Sequence, residues 1–259
     1  MQELISYRNL TIHYGQHTAV QDISFDVEKG KTLCIVGESG SGKSTLIKAA
    51  MDLLGQEGTV DRGNIFFHGE DLLCMPKAKR QKLYGRNIGM IFQDAAASLC
   101  SIRTIGSQIY EAVAAHMQAS KADVKMKALA LFAKIGFEDG KRVWNSYPFE
   151  LSGGMNQRAA VAAAMMMKPE LLLADEPTSA LDVCAQKQVL DEIKELQKEY
   201  CVAVIIVTHD MGVVEYMADD VLVMHEGCAA EYGPVRQVLD HPVSNYTKKM
   251  LAAVPRLRR

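Results

Sequence analysis

The sequence predicts an α/β protein with a mostly parallel sheet, an antiparallel β subdomain and an α-helical insert. Short apolar runs, each followed by a polar or glycine-containing turn, have the composition of buried parallel strands; they span residues 32–36, 88–92, 171–174 and 202–208. Apolar residues at helical spacing predict the helices that pack on such a sheet; they span residues 44–54, 157–167 and 185–200.

The other two parts of the predicted fold rest on different patterns. Residues 5–14 and 19–27 are alternating or β-rich, and residues 64–68 add a strand that ends at Gly69, so an antiparallel sheet is expected beside the parallel one. Residues from about 95 to 149 are rich in Ala, Lys and Met at helical spacing, which predicts the insert.

Length and composition favour one large globular domain. The chain has 259 residues, of which 48% are apolar and 23% charged, so extended disorder is excluded. We expect a core with the β subdomain over 1–94 and 160–235, a helical subdomain over 95–159, and a short C-terminal extension over 236–259. The formal net charge of −2 argues against a nucleic-acid partner, since such domains are usually basic.

Cysteine spacing and hydropathy bear on the compartment. The six cysteines form no C-x-x-C pair, which suits a reducing cytosol, and the apolar runs around Cys34 and Cys201 predict that both are buried. We expect no signal peptide, and no run approaches the ~18 apolar residues of a membrane span. The basic tail of Arg256, Arg258 and Arg259 favours a solvated terminus over contact with an anionic membrane.

A glycine-rich loop joins the first apolar strand to a helix. It reads Gly37-Glu38-Ser39-Gly40-Ser41-Gly42-Lys43-Ser44-Thr45, the pattern G-x-x-x-x-G-K-[ST] between strand and helix. Glycines let successive N–H groups turn inward, and the helix N-terminus adds a positive dipole end, so the loop predicts a phosphate cradle. Lys43 is expected to reach the β- and γ-phosphates and Ser44 to ligate Mg²⁺. A plain helix-capping turn is the alternative.

Two acids end the apolar strand 171–174. Successive side chains on a strand point in different directions, so Asp175 and Glu176 can take different roles. Asp175 suits Mg²⁺, through a water molecule, and Glu176 suits the polarisation of an attacking water. Solvated acids at a strand end are the alternative.

Two further polar residues follow apolar strands. His209 comes after strand 202–208, where it could contact the γ-phosphate and hold Glu176 in place, and a surface histidine is the alternative. Gln93 follows strand 88–92, and its neutral amide could ligate Mg²⁺ and orient water.

A second motif identifies a family. It lies between the phosphate loop and the Asp-Glu strand and reads Leu151-Ser152-Gly153-Gly154-Met155-Asn156-Gln157-Arg158. The order of these motifs, with His209 after the last strand, resembles the ATP-binding cassette (ABC) family over nearly the whole chain. Two further matches are Ser179-Ala180-Leu181-Asp182, which is similar to that family's D-loop, and Tyr14, which is similar to its adenine-stacking aromatic residue. The small residues at 152–154 leave a helix N-terminus bare as a second anion site.

The resemblance implies a mechanism and a set of partners. It implies an ATPase that uses ATP and Mg²⁺ in a head-to-tail pair, with each ATP held between Lys43 of one subunit and Ser152, Gly153 and Gly154 of the other. Asp182 would contribute to the same nucleotide site. ATP binding would favour the closed pair, and hydrolysis would reopen it.

Finer features resemble the peptide/nickel importer subfamily. They are Ile91-Phe92-Gln93-Asp94, Ser98-Leu99, His241-Pro242, Tyr246-Thr247, and Leu251 followed by Pro255. Ala95 and Cys100-Ser101 depart from that pattern in a loop that faces the permease. The short C-terminal segment is somewhat more similar to nickel or metal-chelate importers than to oligopeptide importers.

The subfamily resemblance implies a peripheral protein on the cytoplasmic face of the membrane. Its partners would be a second ATPase, identical or different, two transmembrane permease subunits and an extracytoplasmic solute-binding protein. A soluble ABC ATPase acting on ribosomes or DNA, an exporter subunit, and a P-loop kinase or GTPase are the alternatives. A kinase or GTPase would leave 151–158 unexplained, and the guanine motif Asn-Lys-x-Asp is absent.

Overall fold

The computed structural model describes residues 3–179 and 181–253. These residues form two compact units: one is built from the chain up to Pro76 and from Ala203 onward, and the other from Lys77 to Val202. The basic tail and Ala180 of the D-loop motif lie outside the described residues. The subdomain boundaries expected from sequence stay a prediction.

The first unit contains two sheets and four helices, with elements numbered along the whole chain. Its strands are β1 (Glu3–Tyr14), β2 (His17–Glu28), β3 (Thr32–Gly37), β4 (Gly58–Phe67), β5 (Glu70–Asp71), β8 (Ala203–Thr208), β9 (Asp220–His225) and β10 (Cys228–Pro234). Its helices are α1 (Lys43–Ala50), α9 (Met211–Met217), α10 (Val235–Asp240) and α11 (Asn245–Ala253).

The antiparallel sheet of this unit has the strand order β2-β1-β4-β5. In β2 buried and more exposed residues alternate from Ile23 to Glu28, because one face packs on the core and the other meets solvent, whereas four consecutive residues of β1, 4–7, are all buried. The rings of Tyr7 and Phe25 stack with centroids 4.2 Å apart, and the Tyr7 hydroxyl donates to the Leu46 carbonyl at 3.2 Å. This buried hydrogen bond ties the sheet to α1.

The other sheet of this unit runs in the order β10-β9-β3-β8. β3 lies parallel to both β8 and β9, and every residue of β3 and β8 is buried, as expected for strands covered on both faces. In this register Val36 lies beside Thr208 and Gly37 beside Met224. The carboxyl ends of the three strands therefore share one edge.

The second unit pairs two parallel strands with seven helices of the described chain. These are β6 (Ile88–Ile91), β7 (Leu171–Asp175), α2 (Lys77–Leu83), α3 (Ala95–Ser98), α4 (Ile105–Ala114), α5 (Lys121–Lys134), α6 (Gly140–Asn145), α7 (Gly153–Met165) and α8 (Val183–Tyr200). β6 and β7 end together, because Ile91 lies beside Ala174. Phe132 and Trp144 are buried among α4, α5 and α6.

The structure confirms the α/β class and the four apolar strands, with shifts at the ends of elements. The helix expected over 44–54 ends at Ala50, the helix expected from 157 already begins at Gly153, and the strand expected from 64 begins at Gly58. None of the helices within 3–179 and 181–253 combines the length and apolar composition that a bilayer crossing needs.

The two cysteines expected in the core have different outcomes. Cys34 is fully buried in β3, and that burial raises the pKa of its thiol. The prediction for Cys201 is wrong: it is exposed and ends α8 with a left-handed backbone, at φ 54°. The chain must leave α8 before β8 begins at Ala203, so the residue at the turn cannot take part in the buried strand.

We expect Gly106→Ala to destabilise the protein, because α4 and α6 meet at this residue. A Cβ there would lie 2.2 Å from the Trp144 indole, and relieving such overpacking costs about 1–3 kcal/mol, more than alanine gains in a helix. Thermal unfolding followed by circular dichroism measures the loss. Gly153→Ala is the matched control, since no described atom lies within 4 Å of its Cβ position. Equal melting temperatures for the two variants would contradict the packing argument.

Candidate functional site

The phosphate loop joins β3 to α1 through backbone conformations that require glycine. Gly42 has φ 93°, and a Cβ there would lie 2.3 Å from the Ala19 carbonyl oxygen. A Cβ at Gly37 would lie 2.2 Å from the carbonyl oxygen of Met224. Both contacts are with backbone atoms, which cannot move aside, so a side chain is excluded at each position. Ser39 and Gly40 lie at the exposed rim of the loop.

Lys43 is held inside this loop. Its side chain is buried, and its ammonium donates to the carbonyls of Gly37 at 2.9 Å and Glu38 at 2.6 Å. The Ser41 N–H also donates to the Glu38 carbonyl. α1 has Gly42 at its N-cap without a side-chain cap from the described residues, and Ser44 and Thr45 occupy its first turn. A lysine and a helix N-terminus together suit a phosphate chain.

Two other predicted residues lie in the same unit. His209 follows β8 and is exposed; since Val36 pairs with Thr208, it leaves the sheet at the edge where the phosphate loop begins. Tyr14 ends β1 and is half-buried, with its ring against Gly58. The hairpin that starts after Tyr14 also supplies Ala19, which contacts Gly42.

In the second unit, the acids of β7 and the glutamine after β6 come together. Asp175 is buried at the end of β7, and Glu176 follows it half-buried. The Gln93 amide donates to the Glu176 carboxylate at 3.2 Å. Glu176 also has φ 44°, a left-handed conformation that is costly for a residue with a side chain and that clusters at functional sites.

The Ser-Gly-Gly segment forms the start of α7. The Ser152 hydroxyl accepts from the Met155 N–H at 3.3 Å as N-cap, and Ser152 and Gly153 are exposed. Asp182 is the N-cap of α8, accepting from the N–H groups of Cys184 and Ala185 at 3.0 Å each. The Cβ position of Gly154 is 3.5 Å from the Ala185 side chain, so the two helix starts are neighbours.

Sequence reasoning missed an ion pair behind the Ser-Gly-Gly helix. Arg158 on α7 and Glu192 on α8 pair at 2.6 Å, and the guanidinium also lies 4.4 Å from the Phe137 ring centroid. Burial raises the pKa of Glu192 to about 7, although the charge of Arg158 opposes that shift. The available signal was spacing: Glu192 falls three residues after Val189 and four before Leu196, on the buried stripe of α8.

Comparisons with known proteins identify the family. A family model described as ABC transporter matches residues 20–179. The oligopeptide transport ATP-binding protein AmiE of Streptococcus pneumoniae is 42% identical over 241 residues, which cover 93% of this chain and 68% of AmiE. The corresponding OppD of Haemophilus influenzae is 40% identical, over 99% of this chain and 80% of OppD.

A solved structure agrees. That of cbiO1 from Clostridium perfringens, part of the ABC transporter complex cbiONQ, superposes with a TM-score of 0.79 at 26% identity, covering 93% of this chain and 92% of cbiO1. The chain therefore belongs to the ABC transporter family. It is an ATP-binding cassette ATPase, similar over most of its length to the ATP-binding proteins of oligopeptide and dipeptide transport.

The raised pKa of Glu192 predicts a pH-dependent effect of Glu192→Gln. The folded-state pKa of about 7 exceeds the ordinary 4.5, so the contribution of Glu192 to wild-type stability falls as pH rises between these values. The neutral glutamine does not titrate. The free energy of unfolding of the variant minus that of wild type should therefore increase from about pH 5 to about pH 7.5, as measured by urea denaturation. Glu195→Gln, at an exposed position of α8, should show a flatter difference. A difference that falls with pH for Glu192→Gln would refute this assignment.

Proposed function

We propose that the chain is the ATP-hydrolysing subunit of a peptide importer, and that it works as one of two cassettes paired head to tail. The observation that carries the nucleotide site is Lys43, held by two loop carbonyls inside a cradle that requires glycine at 37 and 42.

The phosphate loop, residues 37–45, binds the triphosphate. Lys43 exchanges its contacts with the Gly37 and Glu38 carbonyls for oxygens of the β- and γ-phosphates, and Tyr14 stacks on the adenine. Mg²⁺ would neutralise charge on those phosphates. The hydroxyl of Ser44, the amide oxygen of Gln93 and the carboxylate of Asp175 would hold it, since this hard ion takes oxygen ligands. One carboxylate is enough where substrate phosphates complete the coordination.

Glu176 polarises the attacking water, and Gln93 positions it. The hydrogen bond from the Gln93 amide fixes one carboxylate oxygen of Glu176. The left-handed backbone at Glu176 breaks the regular strand geometry directly after Asp175, which supports different roles for the two acids. His209, exposed at the end of β8, contacts the γ-phosphate.

The start of α7 serves a nucleotide bound to the opposite subunit. Ser152 and Gly153 are exposed, and the open space at Gly153 lets a phosphate approach the helix N-terminus. Asp182 caps the neighbouring helix α8 and so supports the same surface. ATP would then stabilise only the closed pair, which couples its binding and hydrolysis to the opening and closing of the cassettes. The partner cassette can be identical or different.

Peptides are the substrate class that the relatives favour. AmiE and OppD are named for oligopeptide transport, which supports peptides over the nickel or metal chelates suggested by the short C-terminal segment. Two transmembrane permease subunits and an extracytoplasmic binding protein would complete the importer, with this chain peripheral on the cytoplasmic face. Two apolar side chains, Ile102 (83% exposed) and Phe149 (73% exposed), offer a surface for the permease. Their segments are neighbours, because the Ile105 N–H donates a hydrogen bond to the Ser146 carbonyl.

Glu176→Gln should abolish ATP turnover while ATP binding remains, because only the water-activating carboxylate is lost. We expect at least about a hundredfold loss of steady-state hydrolysis, the scale of general-base catalysis, with retained ATP affinity and a more stable closed pair. Cells relying on this variant should lose uptake of labelled peptides. Glu170→Gln, just before β7, is the control and should leave hydrolysis unchanged. Near-normal turnover would rule out the role of Glu176, and loss of nickel uptake with intact peptide uptake would overturn the substrate class.

Ser152→Asp should prevent ATP-dependent pairing without weakening ATP binding to the separate subunit. Aspartate keeps an acceptor for the Met155 N–H but places a negative charge where the opposite triphosphate would sit. Ser152→Asn is the matched neutral control, since asparagine caps helices equally well. Pairing is measured by size-exclusion chromatography in the Glu176→Gln background with ATP. A loss of ATP affinity in the separate subunit, or pairing equal to that of the asparagine variant, would contradict the shared site.

A further inference from the structure

The C-terminal helix α11 is fixed to the sheet that carries the phosphate loop. The Glu231 carboxylate, on β10, accepts the N–H groups of Val243 at 2.8 Å and Ser244 at 3.1 Å. Burial alone would raise the pKa of Glu231, but these two backbone hydrogen bonds help to lower it overall, so the carboxylate is charged at neutral pH. The Ser244 hydroxyl then accepts the Tyr246 N–H at 3.2 Å. The beginning of α11 therefore has a defined position.

Tyr246 reaches from α11 to the first residue after β3. Its hydroxyl accepts a hydrogen bond from the backbone N–H of Glu38 at 3.3 Å, across 208 positions of sequence. Its ring lies against His225, with centroids 4.0 Å apart. Since Gly37 pairs with Met224, Glu38 and His225 leave neighbouring strands at the same edge. Tyr246 bridges the two chain segments where they leave the sheet.

This contact completes the fixation of the Glu38 backbone. The Glu38 carbonyl accepts from Lys43 at 2.6 Å and from the Ser41 N–H at 3.2 Å, and the Glu38 N–H donates to Tyr246. Lys43 and Ser41 contact the Glu38 carbonyl from within the loop, and Lys43 would leave that carbonyl when it binds the phosphates. The hydrogen bond that the Glu38 N–H donates to Tyr246 involves a residue outside the loop, and it can persist when a nucleotide binds.

We infer that Tyr246 is a positioning residue for the phosphate loop: it holds the Glu38 peptide so that the cradle is already ordered for a nucleoside triphosphate. The inference rests on the proposed role of the loop. An ordered loop loses less conformational entropy when it binds a ligand, so the contact lowers the cost of nucleotide binding. The chemical step involves no atom of Tyr246, so its contribution belongs to affinity and not to turnover.

The test replaces only the hydroxyl. In the full chain, with its ATPase partners where they co-purify, Tyr246→Phe should raise the KM for ATP and the Kd of a fluorescent ATP analogue about threefold to tenfold, the scale of one hydrogen bond. The kcat should stay within about twofold, because the groups around the γ-phosphate are untouched. Tyr232→Phe is the matched control, since the Tyr232 hydroxyl hydrogen-bonds to the backbone of Asp26 and not to the phosphate loop in the described structure.

The two tyrosine variants and Lys43→Ala together separate the possibilities. A rise in KM and Kd confined to Tyr246→Phe, with a melting temperature like that of Tyr232→Phe, supports the inference. Wild-type affinity in Tyr246→Phe overturns it, and so does an equal rise in both variants, which would indicate a general effect of losing a tyrosine hydroxyl. Lys43→Ala tests the loop itself: if it still binds nucleotide, the proposed site fails, whereas loss of binding there with a silent Tyr246→Phe refutes the positioning role alone.

Discussion

The interaction on which the nucleotide site depends is that of Lys43 with its own loop. A buried lysine is costly unless its charge is satisfied, and here two carbonyls at 2.9 and 2.6 Å accept hydrogen bonds from it. Those carbonyls converge because the chain passes through conformations at 37 and 42 that place backbone atoms where a Cβ would be. The cradle is thus built by the backbone, and the buried strands β3, β8 and β9 hold it at one sheet edge.

The proposed functional groups of the second unit lie at a strained backbone position and at the start of a helix. Glu176 adopts a left-handed backbone directly after a fully buried strand, and the Gln93 amide restrains its carboxylate. The exposed start of α7 is held from behind by the Arg158–Glu192 pair, whose desolvation is visible in the raised pKa of Glu192. A buried ion pair loses hydration energy that its attraction only partly returns, so this pair costs more than an exposed one would.

Sequence patterns correctly predicted the features that depend on residues close together in the chain. The run from Leu171 to Ala174 was correctly predicted as a buried strand, because it is short, wholly apolar and followed by acids. The glycine spacing from 37 to 42 reports a backbone requirement that no other residue meets. The predicted ends of helices and strands were less accurate, as at Gly58 and Ala50, because strand partners and helix caps decide where an element begins or ends. Cys201 was misplaced for a similar reason: apolar neighbours do not reveal that the backbone reverses there.

Some contacts could not be predicted because they join distant segments. No role was predicted for Glu192 from the sequence, because its partner Arg158 lies on another helix and the two meet only where α7 packs against α8. Tyr246 marked only a resemblance, until the pairing of β3 with β9 brought its helix to Glu38. The chain's order of residues was therefore sufficient for the α/β class and the ABC transporter family, since each is encoded by spacing along a few neighbouring positions. The list of site residues stays a prediction. Which carboxylate is buried, which amide restrains Glu176 and which hydroxyl supports the phosphate loop were decided by tertiary packing, because desolvation and long-range hydrogen bonds exist only once the segments meet.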